Sequence, residues 1–298
     1  MLRTLSRLAV VALLLPAPAA AQQTAGDWAA VVANEYRIAT DITYLTADGW
    51  DAQLDVYTPR TPGPHPTILH IHGGGWVGGT REGVALRLLP YLEMGFAVVN
   101  VSYRLGRIGL APAAVEDCLC ALRWIVRNAE QYGFDTDRIV TMGYSAGGHL
   151  ALTTAMIPED EGLANICPGS EPLRVAAVVN WYGITDVADL MEGENERSYT
   201  VQWLGGQPDR AAVARRVSPL TYVRRDLPPI LTIHGDADPT VPYDHAVQLH
   251  EALNRAGAGG ELVTVPGGGH GNFPADQQVR VLREIRDFFR THRLLHPS

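Results

Sequence analysis

No lysine occurs in this 298-residue chain; all 24 of its basic side chains are arginine. That excludes mechanisms built on a neutral amine, a Ser-Lys dyad or a Schiff base among them. Acidic residues outnumber basic ones, 32 to 24, for a formal charge of −8, and no stretch reads as a basic patch. Nucleic acid is therefore not an expected partner. No His-Glu-x-x-His occurs, and Cys118-x-Cys120 alone has too few ligands for a zinc site. Neither a metal nor an organic cofactor is expected.

Long apolar runs are missing too. The run Leu8–Leu15 is too short to span a bilayer as a helix. Preceded by Arg3 and Arg7 and followed by Pro-Ala-Pro-Ala-Ala-Ala, it reads as a signal peptide over residues 1–21, cut after Ala21. A retained anchor is the alternative. The expectation is an exported protein, secreted or periplasmic, with no membrane partner. Residues 22–298 would then form a single α/β domain, and losing Arg3 and Arg7 would take its charge to −10. Cysteines number only three. Cys118 and Cys120, two apart on a helical stretch, point in different directions and should not pair with each other. In an oxidising compartment Cys167 can bridge to one of them; three buried thiols are the alternative.

Glycine-punctuated strand–helix alternation is what the chain has in abundance. Ile42–Leu45 and Ala52–Tyr57 read as a hairpin across Ala47-Asp48-Gly49. Short β-branched runs at Thr67–Ile71, Phe96–Val101, Arg138–Met142 and Pro229–Ile233 read as buried strands, and Val175–Trp181 and Leu262–Val265 as further strands. Helices are expected over Pro112–Tyr132, His149–Ile157, Tyr243–Ala256 and Ala275–Leu294. This alternation predicts a mostly parallel sheet with helices on both faces. The irregular segment Asp186–Asp226 reads as a small lid or cap of short helices across the sheet's C-terminal edge.

Within that frame, Gly143-Tyr144-Ser145-Ala146-Gly147 sits where a strand becomes a small-residue helix. Gly-x-Ser-x-Gly in that context is the nucleophile elbow, a strained turn that exposes the serine hydroxyl. Side chains at 143 and 147 would collide across the turn. A second feature, His72-Gly73-Gly74-Gly75-Trp76, follows a buried strand. Consecutive glycines let amides turn inward to cradle an anion, so the amides of Gly74, Gly75 and Ala146 are the expected oxyanion donors. His72 is expected to brace this loop. Trp76 could line the pocket or pack beneath the loop. His149, one turn past Ser145, is expected to pack rather than act as a base.

A serine needs a base, and the base an orienting carboxylate. His270, after the last strand and three glycines, is the expected base. Asp238 is favoured as the acid over Asp236, which lies nearer its strand end, and over Asp186. Tyr103, Tyr144 and Tyr182, with Trp76, are the expected substrate contacts.

The five motifs His72-Gly73-Gly74-Gly75-Trp76, Gly143–His149, Trp181-Tyr182-Gly183, His234–Pro239 and Gly268–Gly271 together resemble those of α/β-hydrolases. More closely, the chain resembles the secreted esterase/lipase group that includes bifunctional feruloyl and acetylxylan esterases, near the hormone-sensitive-lipase-like enzymes. It departs from the latter at Tyr144, where they usually carry Asp. The resemblance implies an α/β-hydrolase fold, with Asp238 at the position of the family acid. It also implies a serine carboxylesterase acting through an acyl-enzyme on short-chain or polysaccharide-linked acetyl and feruloyl esters. An amidase, arylformamidase or peptidase on the same triad is an alternative activity, and a non-catalytic binding protein on this fold an alternative class.

Overall fold

The computed structural model describes residues 30 and 32–295; the signal peptide expected over residues 1–21 lies outside them. Among the described residues, eight strands form one sheet in the order β1-β2-β4-β3-β5-β6-β7-β8. They are β1 (Tyr36–Ala47), β2 (Trp50–Pro59), β3 (His65–Ile71), β4 (Ala97–Val101), β5 (Phe134–Tyr144), β6 (Ala177–Trp181), β7 (Ile230–Gly235) and β8 (Gly260–Val265). The first two form the expected antiparallel hairpin, and β2 meets β4 antiparallel; every other pairing is parallel.

Every residue of β3, β4, β6 and β7 is buried, as strands covered on both faces must be. The two-residue pleat sends successive side chains into separate cores. Leu69, Ile71, Val99, Val101, Ile139 and Val178 face one; Ile68, Val98, Val140, Met142, Val179 and Leu231 face the other. Helix α1 (Leu89–Glu93) and α8 (Ala275–Thr291) cover the second face, α8 through Val281, Ile285, Phe288 and Phe289. Helices α2 (Ala113–Arg127) and α4 (Ala146–Met156) cover the first. Among the described residues, no helix is long and apolar enough to cross a membrane.

Several element boundaries depart from the sequence reading, β1 and β5 being longer than expected, and two departures have a local cause. The single helix expected over 112–132 divides at Asn128 into α2 and a short α3 (Ala129–Tyr132). The Asn128 amide nitrogen donates back to the Trp124 carbonyl at 2.8 Å, a side-chain bond that competes with helical continuation. The helix expected from His149 instead begins at Ala146, directly after Ser145. Two glycines in its first turn do not delay it, because the backbone packs too tightly there for anything else. A Cβ at Gly147 would stand 2.1 Å from the Ile71 carbonyl oxygen, and one at Gly148 2.5 Å from Asn180 Oδ1.

The segment 186–226 does carry short helices, α5 (Ser198–Leu204) and α6 (Arg210–Arg216), with a 3-10 turn at Pro219–Tyr222. Trp203 of α5 stacks on Trp76 at 4.2 Å, and Tyr199 Oη donates to the Thr240 carbonyl at 3.2 Å. Segment 186–226 is thus tied both to the glycine loop and to the loop after β7. Helix α7 (Asp244–Ala256) and α8 complete the chain.

Candidate active site

At the end of β5 the chain turns sharply: Ser145 takes φ 57° and ψ −121°, in the positive-φ region that costs a non-glycine residue energy. Close packing enforces the turn. A Cβ on Gly143 would lie 2.2 Å from the Gly147 carbonyl oxygen, so glycine at both positions is what lets strand and helix cross. The Ser145 amide donates to the Trp181 carbonyl at 2.8 Å, pinning the turn to β6.

The Ser145 hydroxyl meets His270. Its Oγ lies 2.8 Å from His270 Nε2, and His270 Nδ1 lies 2.7 Å from Asp238 Oδ2. These three residues come from the ends of β5, β7 and β8, gathered at the C-terminal edge of the sheet. Asp238 is fixed independently of the histidine. Its Oδ1 accepts the amides of Thr240 and Val241 at 2.7 and 3.0 Å, leaving Oδ2 to face His270. Burial would push this carboxyl up, but hydrogen bonds from His234 and His270 outweigh it and hold it well below the usual carboxylate range. It is therefore charged at any pH where His270 can act as a base.

The competing acids are occupied elsewhere. Asp236, exposed, accepts the Gly267 amide at 2.6 Å. Asp186 accepts the Ala188 amide at 2.9 Å.

Facing Ser145 is the glycine loop. Gly74 and Gly75 have φ of +121° and +59°, a region glycine enters without strain, and both line the cavity that holds Ser145. Among the described residues, the amides of Gly74, Gly75 and Ala146 donate to no carbonyl or side chain. The loop folds on itself, with Val77 and Gly78 amides both donating to the Gly74 carbonyl. His72 Nδ1 lies 2.7 Å from the Gly73 carbonyl, the bracing expected of it.

Two expected substrate contacts are placed elsewhere. Trp76 is fully buried beneath the loop, its indole N–H donating to His149 Nδ1 at 3.1 Å and its face covered by Trp203. A polar handle with a partner and a stacked face has no reason to stay in the pocket. Tyr103 is buried too; it stacks on His72 at 4.4 Å and donates to the His72 carbonyl at 3.1 Å. Both hold the glycine loop in place. His149, between Trp76 and the Val217 carbonyl, is a packing residue pushed down to a pKa of about 3 by burial.

Tyr144 and Tyr182 do line the cavity, of about 450 Å³, which also holds Ser145 and His270. Tyr182 packs edge-on against His270 at 4.5 Å, and its φ of 41° marks a second strained position beside the reacting groups. Tyr199 and Arg87 share the lining and escaped the sequence reading. Tyr199 sits in the irregular cap segment and covers Gly75, where a Cβ would come within 2.8 Å of it. Arg87 lies in the 3-10 turn Glu82–Leu88, a stretch with no motif to mark it.

The profile of the BD-FAE family matches residues 54–253, from β2 into α7. Esterase LipC of Mycobacterium tuberculosis is 30% identical over 219 residues, covering 70% of this chain and 53% of LipC. Ethyl acetate hydrolase of Pseudomonas putida is 29% identical over 256 residues, covering 80% of this chain and 76% of its own. A solved truncated carbohydrate esterase from gut microbiota superposes with a TM-score of 0.74 at 29% identity, covering 87% of this chain and 97% of that one. The chain spans about half the length of the first curated relatives it matches. The parallel sheet, the elbow at its C-terminal edge and these likenesses describe one α/β-hydrolase fold, and the chain belongs to the BD-FAE family.

Proposed function

We propose that the protein is a serine carboxylic ester hydrolase acting on short-chain or polysaccharide-linked esters, acetyl and feruloyl groups among them. The continuous line from Ser145 Oγ through His270 to Asp238, at a serine held in positive φ opposite three unpartnered amides, carries the reading. In this reading His270 Nε2 takes the Ser145 proton as Oγ attacks the ester carbonyl. The developing oxyanion is received by the Gly74, Gly75 and Ala146 amides. Collapse expels the alcohol, which takes the proton back from His270, leaving an acyl group on Ser145. Water, deprotonated by the same imidazole, then releases the acid. Asp238 keeps Nδ1–H pointed at itself and stabilises the imidazolium formed twice in the cycle.

Membership in the BD-FAE family and the likeness to a carbohydrate esterase support polysaccharide-linked esters; the ethyl acetate hydrolase supports a short acyl group. Export to an oxidising compartment is part of the same proposal. It rests on the leader-like residues 1–21 and is supported by a Cys120–Cys167 disulfide.

The test compares wild type and Ser145→Ala on p-nitrophenyl esters from acetate to decanoate, with methyl ferulate and acetylxylan alongside. Short esters should be turned over by wild type and lost to background in the variant. Full activity in Ser145→Ala, or none in wild type on any ester, would overturn the assignment.

A further inference from the structure

The catalytic cavity has a neighbour of about 340 Å³, lined by Tyr91, Trp181 and Phe273 among others. The two share a wall of Arg87, Tyr144 and Tyr182. Among the described residues, no Asp or Glu lines either one, although the whole chain carries a charge of −8.

Arg87 is the one arginine on that wall, and its charge is unmatched. Arg87 is solvent-exposed, unlike the three buried arginines, which are each neutralised at close range: Arg81 by Asp55 at 3.0 Å, Arg104 by Asp117 at 2.7 Å, Arg123 by Glu159 at 3.0 Å. Among the described residues, no carboxylate comes within ion-pair distance of Arg87. Its guanidinium instead sits 4.6 Å over the Tyr144 ring, with Nη1 donating to Tyr182 Oη at a long 3.4 Å. Two aromatic contacts hold the cation in a fixed place without spending its charge. Water reaches the side chain, so the guanidinium needs no carboxylate partner to be tolerated there. The same wall region adds neutral donors and no negative charge. Tyr91 is buried there and interacts with the side chains of Trp181 and Tyr144, not with a carboxylate.

We propose that Arg87 determines specificity for esters that carry a carboxylate, receiving that group on the wall between the two cavities. The inference rests on the ester-hydrolase reading and narrows its substrate class. A bound carboxylate gains charge-assisted hydrogen bonds from a guanidinium already oriented by Tyr144 and Tyr182. A neutral substituent in the same place strips water from the cation and returns nothing, so the site selects against it as well as for its rival. Half-esters of dicarboxylic acids fit if the acyl side faces Arg87; esters of hydroxy-carboxylic acids or uronate-bearing sugars fit if the alcohol side does.

Matched pairs separate the two. On the acyl side, monomethyl adipate is compared with methyl adipamate; on the alcohol side, 4-acetoxybenzoate with 4-acetoxybenzamide. Wild type should favour the carboxylate member of one pair in kcat/KM by on the order of tenfold or more, and the preference should shrink as salt is raised. Arg87→Gln should abolish the preference, lowering the carboxylate ester far more than its amide partner, while Arg87→Lys should retain part of it. Equal turnover of both members of both pairs by wild type overturns the proposal while leaving the esterase reading standing. So does an Arg87→Gln variant that slows both members by one common factor, which would make Arg87 a support for Tyr144. Absence of turnover on all four and on p-nitrophenyl acetate sinks the esterase reading, and this proposal with it.

Discussion

Asp238 divides its two oxygens between two tasks, and that division decides what replacing it should do. Oδ1 holds the local loop through the Thr240 and Val241 amides; Oδ2 orients His270. Asp238→Asn keeps the shape and an acceptor for the loop, yet offers an N–H where His270 needs an acceptor. The imidazole then takes the wrong tautomer, with no lone pair toward Ser145. Turnover should fall on the order of ten-thousandfold with KM little changed, while far-ultraviolet circular dichroism stays that of wild type. A loss of less than tenfold in kcat would show that His270 is oriented by something else. At this scale Ser145, His270 and Asp238 were legible because each follows a strand in a glycine- or proline-marked loop. Trp76 and Tyr103 were misplaced because an aromatic in a conspicuous motif gives no hint of which partner covers it. Arg87 could not be found: its meaning lies in the carboxylates that are absent around it, which only three-dimensional packing displays.

Between elements, the segment after α4 is secured to α2 by neighbouring residues of one helix. Cys120 forms the disulfide with Cys167, and Arg123, one turn on, donates to the Ala164 carbonyl at 3.0 Å and to Glu159 Oε2 at 3.0 Å. The bridge closes a loop of 47 residues' separation, which by chain-entropy reasoning stabilises the fold by about 4 kcal/mol. Cys167→Ala should therefore lower Tm by roughly 10 °C. Thiol titration of the unfolded, unreduced wild type should find one reactive group, Cys118, where the reduced chain shows all three cysteines. Three thiols before reduction, or an unchanged Tm, would remove the bridge from the picture. Sequence spacing excluded a Cys118–Cys120 pair but could not choose between them for Cys167, since that choice depends on which face of α2 meets the loop. Strand existence was legible throughout, because buried parallel strands are short, continuous apolar runs. The break at Asn128 was not, because a side-chain bond to Trp124 is invisible to periodicity.

Across the molecule, histidine is used as a core residue far more than as a base. His70, in β3, and His250, in α7, are pushed down by burial to a pKa of about 4, and His149 to about 3; His72 and His245 are lowered in the same direction for the same reason. Each holds a proton less readily in the fold than an exposed histidine, which titrates near 6.5. Between those values the unfolded chain binds protons that the folded chain refuses. Stability is therefore full above pH about 6.5 and is lost as pH falls below it, each such histidine contributing up to about 1.4 kcal/mol per pH unit. Below about pH 4 Asp238 adds to the loss, since its carboxyl stays ionised in the fold after an unfolded one has taken a proton. Urea midpoints measured from pH 8 to pH 4.5 should stay level at first and then decline steeply once pH drops under about 6.5. His250→Gln removes one of these groups, reached by no hydrogen-bond partner at Nε2, and should make that decline shallower whatever it does to the midpoint at pH 8. A flat profile, or one that rises on acidification, would mean that these imidazoles are protonated in the fold and that the burial argument is wrong.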